Sequence, residues 1–244
     1  MRIGILGDIH GNLPALDAVL ADMREQHLDA VYCLGDLVGY GAFPNEVVQR
    51  IKDEGMPTVM GNYDDGVGFD RDECGCAYRD PREKALGQRS LVWTKAHTTS
   101  ENKEFLRSLE PQFRIEADGR RLLFVHGSPR KMNEYLFEDR PLSSFQRLAA
   151  GSAADIIVFG HTHRPYAKHV DNVWFVNAGS VGKPKDGDWR ACYVVLSPGA
   201  AEPPQFIRVP YDVERIARAI RDSELPDEFA DDIERGGAAP AAQQ

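Results

Sequence analysis

A repeated ending constrains this chain more than any other feature. The apolar run Met1 to Leu6 drives into Gly7-Asp8-Ile9-His10-Gly11-Asn12. Asp29 to Leu34 stops at Gly35-Asp36, and Pro57 to Met60 stops at Gly61-Asn62-Tyr63-Asp64. Further on, Arg121 to Val125 ends at His126-Gly127-Ser128-Pro129, and Asp155 to Phe159 ends at Gly160-His161-Thr162-His163. Short apolar runs closed by turn residues read as buried strands. Open α/β folds place their ligand sites at the carboxyl ends of such strands.

Helical patterns separate the first three runs. Leu16, Val19, Leu20 and Met23 form one apolar face behind Pro14, which suits a first helical turn. The Gly39-Tyr40-Gly41 loop leads to a second such face, Val47, Val48 and Ile51. Residues 65–82 break the pattern and read as an inserted loop over the strand ends, a lid or specificity loop. Helices are expected over 83–96 and, opened by a capping box in Thr98-Thr99-Ser100-Glu101, around Phe105, Leu106 and Leu109. The chain then turns to strands. Asp118-Gly119 joins 113–117 to 121–125 as a hairpin. A mixed loop and helix reaches Ala150, and short strands follow near 155–159, 166–170, 173–177, 191–196 and 205–209. A last helix begins at Asp212, with Val213, Ile216, Ala217 and Ile220 buried and Tyr211 stapled to Ile216.

The expected architecture is therefore α/β, two sheets packed together with helices outside, as one domain over 1–222. Residues 223–244, acidic and then small and polar, are expected to be disordered.

At 244 residues the chain is long enough for a substantial core. A net charge of -9 argues against bulk nucleic-acid or anionic-membrane binding, which wants a basic surface. It leaves room for a small anionic substrate, because bound metal reverses the local potential. No charged leader precedes a long apolar stretch, and no run approaches a membrane span. Four cysteines are too few for a disulfide scaffold, so a cytoplasmic setting is expected. Cys33 and Cys192 sit in apolar runs and read as core fillers. Cys74-Gly75-Cys76 is too closely spaced for a usual zinc knuckle and reads as part of the 65–82 loop, a redox-sensitive lid.

The polar residues gathered at strand ends are Asp8, His10, Asp36, Asn62, His126, His161 and His163. Any one of them is an ordinary cap, turn residue or core histidine. Together they offer four imidazoles, two carboxylates and an amide carbonyl, enough for two divalent ions. Mixed nitrogen and oxygen ligands suit Mn, Fe, Co, Ni or Zn better than a hard Ca or Mg site. A shared Asp can bridge ions about 3.5 Å apart, the spacing of two-metal hydrolases.

In this order, Asp8-Ile9-His10-Gly11-Asn12, Gly35-Asp36, Gly61-Asn62-Tyr63-Asp64, His126 and Gly160-His161-Thr162-His163 resemble the calcineurin-like metallophosphoesterases. The likeness runs from Met1 to about Leu196. Its small size and its Asn177-Ala178-Gly179-Ser180-Val181-Gly182 turn are most similar to the compact bacterial and archaeal phosphodiesterases. The resemblance implies a four-layer α/β/β/α sandwich. It implies a first metal on Asp8, His10 and His163, a second on Asn62, His126 and His161, and Asp36 bridging both. The implied chemistry is hydrolysis of a phosphate ester by a hydroxide shared between two divalent ions, with no covalent enzyme intermediate.

One position departs from the family pattern. Many members carry His where this chain has Tyr63, placing that His near the leaving group with the following Asp, here Asp64, orienting it. A phenol titrates near about 10 and is a poorer proton donor at neutral pH than an imidazole. Asp36, Asn62, Tyr63 and Asp64 are thus the candidate catalytic residues. Arg164 is a candidate phosphate contact, and Lys183 reads as a solvated charge. His97 reads as structural, and Ser128 lacks a nucleophile elbow.

The implied function is a phosphodiesterase acting on a small phosphoester. A phosphomonoesterase or dinucleoside polyphosphate hydrolase is the enzymatic alternative. A non-catalytic scaffold of the same fold, one retromer subunit being such a case, is the alternative of another class. The full ligand set argues against that scaffold. A homo-oligomer is compatible with the sequence.

Overall fold

The computed structural model describes residues 1–78, 80–200 and 202–237. In chain order the elements are β1 (Ile3–Leu6), α1 (Leu13–Glu25), β2 (Ala30–Cys33), α2 (Pro44–Asp53), α3 (Asn62–Gly68), α4 (Pro81–His97) and α5 (Ser100–Ser108). Then come β3 (Gln112–Ala117), β4 (Arg120–Val125), α6 (Leu142–Ser152), β5 (Ile156–Phe159), β6 (Tyr166–Val170) and β7 (Val173–Asn177). The chain closes with β8 (Ala191–Leu196), β9 (Gln205–Val209), α7 (Val213–Arg221) and α8 (Glu228–Glu234).

Two mixed sheets form. The first has the order β2-β1-β8-β9, with β1 parallel to β2 and antiparallel to β8. The second has the order β3-β4-β5-β7-β6, with β4, β5 and β7 parallel. Side chains alternate between faces along a strand, and here each face has its own core. Ile3, Ile5, Val194 and Leu196 of the first sheet meet Leu122, Phe124, Ile156 and Val158 of the second. Tyr193 and Val195 point the other way, into a core shared with α1, α2, α7 and α8. Leu123, Val125, Ile157 and Phe159 face outward onto Phe145 and Leu148 of α6. These strands are buried on both sides, which is why they read in sequence as continuous apolar runs. The result is the expected four-layer α/β/β/α sandwich.

The hairpin at Asp118-Gly119 forms with both residues at positive φ, the requirement of a type I′ turn. Helix α1 opens on Asn12, whose side chain accepts the Ala15 N–H. No described helix is long and apolar enough to cross a membrane.

Four expectations need correction. Pro57 to Met60 is not a full strand. It touches the sheet through single bridges, Cys33 to Thr58 and Val59 to Glu110, and Pro57 has no N–H to donate to a longer ladder. The 65–82 segment is not all loop, because α3 takes its first residues and α4 its last. Thr99, not Thr98, caps α5 by accepting the Asn102 N–H, and Glu101 instead pairs with Lys52 at 2.7 Å.

The fourth correction concerns the tail. The acidic segment expected to be disordered contains α8, whose Phe229, Ala230 and Ile233 are buried. Arg221 of α7 bonds Asp231 and Glu234 across the gap. Residues 238–244, also in that expectation, lie outside the described residues. Because Phe229 packs edge-on against Tyr40, with centroids 5.1 Å apart, α8 belongs to the core. Phe229→Ala should therefore cost about 3 kcal/mol, the scale of a buried aromatic deletion. Urea denaturation checks this, and a change below about 0.5 kcal/mol, the scale of surface substitutions, would mean that α8 merely rests on the surface.

Candidate metal centre

The carboxyl ends of β1 and β2 in one sheet and of β4 and β5 in the other open at the same end of the sandwich. The loops beyond them carry Asp8 and His10, Asp36, His126, and His161 with His163. All six are buried. Two groups of ligand atoms result, Asp8 with His10 and His163, and Asp36 with His126 and His161.

Asp36 lies between the groups. Its Oδ2 is 3.6 Å from His10 Nε2 of the first and 3.4 Å from His126 Nε2 of its own. Its Oδ1 accepts the Tyr63 N–H at 2.8 Å. Asn62 enters the second group through Oδ1, 3.1 Å from His126 Nε2. The amide orientation follows from its other end. Nδ2 faces the Cys74 carbonyl at 3.1 Å, and a carbonyl can only accept.

The imidazoles are set in the same way. Nδ1 of His10 donates to Val38 O, Nδ1 of His126 to Leu34 O and Nδ1 of His163 to Lys183 O, at 3.0, 2.7 and 2.6 Å. Each bond fixes the tautomer and leaves Nε2 for the site. His10 Nε2 and His163 Nε2 then face each other at 3.2 Å. Two lone pairs at that distance repel unless a cation lies against both. Burial pushes His10 down to about 3, despite the nearby Asp36 carboxylate, and pushes His163 well below the ordinary imidazole range, so both rings are neutral. Among the described residues, Asp8 Oδ1 and His161 Nε2 are buried without a hydrogen-bond partner. Buried polar groups are nearly always paired, and these two point to ions as the missing partners. The residues present fit two divalent cations.

The backbone bears the strain of this arrangement. Asp8, His10, Asp36, His161 and His163 all have φ between 50° and 65°. Outside glycine that left-handed region costs about 1 kcal/mol or more per residue and tends to collect at functional sites. The loops are tied to hold it. Asp8 N donates to Gly35 O, and Ile9 N and His10 N both donate to Asp36 O. The 177–182 turn braces both halves. Asn177 Nδ2 donates to Gly160 O, while Ser180 Oγ and Gly182 N donate to Asp8 O.

The other sequence candidates fall elsewhere. Both oxygens of Asp64 are occupied by backbone, Oδ2 by Asp36 N and Gly61 N and Oδ1 by Leu37 N. Asp64 therefore fixes the Asp36 loop instead of orienting a proton donor. Tyr63 is 1% exposed and packs against His10 and Tyr40. Burial raises that phenol well above its usual range. Arg164 is exposed. Its Nε donates to Lys185 O and its guanidinium lies over Phe137, so neither contact reaches the ligand cluster. Lys183 is not a solvated charge. It is buried against Tyr40 and Phe229 and bonds Asp232 at 2.9 Å. His97 stacks on Trp93, and Ser128 bonds Glu134.

Two contributions are not apparent from sequence. The half-buried Lys185 ammonium contributes to the electrostatic field at Asp8, His161 and His163, and burial lowers its own pKa. Tyr135 packs against His161 with centroids 4.0 Å apart and ring planes tilted by 38°. The first follows Lys183 by two residues in a Lys-Pro-Lys run, and that clustering is the available signal. Nothing in the local sequence marks the second.

A family model for the calcineurin-like phosphoesterase superfamily domain matches residues 1–201. An uncharacterised protein of Methanocaldococcus jannaschii is 33% identical over 242 residues, covering 92% of this chain and 94% of its own length. Phosphodiesterase YfcE of Escherichia coli is 26% identical over 196 residues, 77% of this chain and 83% of the relative. The crystal structure of a metallophosphoesterase from Sphaerobacter thermophilus superposes with a TM-score of 0.78 at 28% identity, covering 97% of this chain and 99% of that one. Its fold, its paired ligand groups and a family match over most of its length make this protein a member of the calcineurin-like phosphoesterase superfamily.

Proposed function

We propose that this chain is a binuclear-metal phosphodiesterase acting on a small phosphoester in the cytoplasm. The observation that carries the reading is the place of Asp36 Oδ2, within 3.6 Å of an imidazole from each ligand group. A protein that only binds partners has no physical use for one carboxylate oxygen shared between two sets of buried, neutral-tautomer ligands. Asp8, His10 and His163 would hold one ion, Asn62, His126 and His161 the other, and Asp36 both. When bound, two divalent ions supply an activated water and neutralise charge developing on the phosphoryl group. The mixed donor set favours Mn, Ni, Fe, Co or Zn.

The chain's own part is to position and to withhold. Backbone carbonyls behind His10, His126 and His163 turn each Nε2 toward the site. Burial excludes bulk water and strengthens the electrostatics within. Tyr63 stands where the family pattern would supply a proton for the leaving group, and burial holds its phenol well above the usual range, which makes it a weak donor. Departure of the alkoxide or phenoxide then depends on its own basicity. YfcE, a relative, is named a phosphodiesterase, and that class is proposed here.

Three outcomes are expected. Purified protein should hydrolyse bis(p-nitrophenyl) phosphate with added Mn²⁺ or Ni²⁺, and Asp36→Asn should lower kcat at least about 100-fold. Equal residual rates in both proteins would refute the two-metal reading. Across aryl phosphodiesters of graded leaving-group pKa, kcat should fall steeply as the phenol becomes more basic, and a flat series would show that a proton donor operates after all.

The third outcome concerns protons. Burial favours a neutral His126, but the Asp36 and Asp8 carboxylates outweigh it and push the ring up to about 10 among the protein groups alone. A ligating Nε2 must be free of its proton. Metal loading at pH 8 should therefore release about one proton, and affinity should rise about tenfold per pH unit below that value. Calorimetry in buffers of different ionisation enthalpy measures the release, and a buffer-independent heat would contradict it.

A further inference from the structure

Cys74 and Cys76 stand beside the second ligand group. Their sulfurs are 3.1 Å apart. The turn between them exists because Gly75 takes φ +72°, and a Cβ there would lie 2.3 Å from Asn133 Nδ2. Asn133 in turn donates to Gly75 O at 2.6 Å, pinning the turn to the loop that carries Tyr135. The two-cysteine turn is also what holds Asn62. The amide Nδ2 donates to Cys74 O at 3.1 Å and to Cys76 Sγ at 3.2 Å, so this turn aims Oδ1. A surface cleft of ≈ 250 Å³ is lined by both cysteines with Tyr78 and Lys84, and Cys76 is partly exposed.

We propose that Cys74 and Cys76 are a modification site, a dithiol that hydroperoxides oxidise to a disulfide, and that the disulfide weakens the metal position held by Asn62. The second half rests on the metal-centre reading above. A disulfide needs its sulfurs about 2.05 Å apart, some 1 Å inside their present separation and within reach of side-chain rotation. The chemistry balances with peroxide as the oxidant. One sulfur attacks the peroxide, the O–O bond breaks, and a sulfenic acid and water form. The second thiol displaces hydroxide from that sulfur, the S–S bond closes, and its proton leaves with the hydroxide as water. Two electrons pass from sulfur to oxygen, and an added thiol returns them. Closing the bond draws Cys76 Sγ away from Asn62 Nδ2 and tightens the turn whose carbonyl is the amide's other anchor. Oδ1 then loses its fixed aim. Loss of such an outer support costs metal sites about 10- to 100-fold in affinity.

The test uses the full-length protein and hydrogen peroxide. Trypsin releases Asp72 to Arg79 as one peptide holding both cysteines and no other. After stoichiometric peroxide that peptide should be lighter by two hydrogens, and dithiothreitol should restore it. Titration with Mn²⁺ by calorimetry should show one of two binding events weakened about tenfold or more in the oxidised protein relative to the reduced one. The double variant Cys74→Ser, Cys76→Ser should form no disulfide, and its Mn²⁺ affinity after peroxide should equal its own value before. A peptide that stays reduced, or goes to sulfinic acid without a disulfide, overturns the proposal. So does a disulfide that leaves Mn²⁺ affinity unchanged. Neither measurement depends on hydrolysis, so a protein that binds two ions and cleaves no phosphodiester refutes the functional reading alone.

Discussion

Two buried carboxylates set the terms for everything around them. The basic groups in contact with Asp8 and Asp36 among the described residues are imidazoles alone, of which only His126 is held protonated. A buried charge of this kind is tolerable only when paired or when it holds a metal. Protonating His126 meets part of the demand. Neutral His10, His161 and His163 meet none of it, and their bare nitrogens add lone pairs of their own. The cluster is therefore organised for more positive charge than His126 and the more distant Lys185 supply. That deficit links the left-handed loops, the carbonyls behind each ring and the brace at 177–182.

The sandwich makes such a cluster possible. Neither sheet carries all the ligands. Asp8, His10 and Asp36 follow strands of the first sheet, and His126, His161 and His163 follow strands of the second. The ligand geometry is thus fixed by the packing of Ile3, Ile5, Val194 and Leu196 on Leu122, Phe124, Ile156 and Val158. Close-packed interiors do not shift by fractions of an ångström at small cost. Five strained residues at about 1 kcal/mol or more each can be held only by a frame of that stiffness.

Much of this is legible in the chain because each ligand follows a continuous apolar run, and in a doubly buried sheet every such run must end at a surface where polar groups are allowed. The order of those endings singles out seven residues. What stays hidden depends on partners distant in sequence. Phe229 and Ile233 look like stray apolar residues in an acidic tail until α7 offers them a surface. Lys183 looks exposed until Tyr40 and Phe229 close over its stem, as long cationic side chains allow. The single bridges at Thr58 and Val59 look like a strand because composition does not reveal how many partners a backbone will find. Cys74 and Cys76 have no recognisable spacing, and their importance lies in a carbonyl and a sulfur aimed at one amide.

Position 63 shows how a fold can retain half of an arrangement. The family pattern pairs an acid His with the Asp that follows. Here the ring at 63 lies over Gly39, where a Cβ would fall 2.3 Å from Tyr63 Cδ1, and its hydroxyl sits in the field of Tyr40, Tyr78, Cys74 and Cys76. If Asp64 existed only to orient an acid, replacing that acid would leave a buried carboxylate with no purpose and a heavy desolvation cost. Its three backbone donors supply the purpose. They close the turn that presents Asp36, and Asp36 N is one of them. The carboxylate at 64 is thus needed to build the bridge between the ligand groups, whether or not any proton donor stands beside it. Losing the acid His and keeping Asp64 are therefore separate events. The second rests on three backbone donors that keep the Asp64 carboxylate where it closes the Asp36 turn.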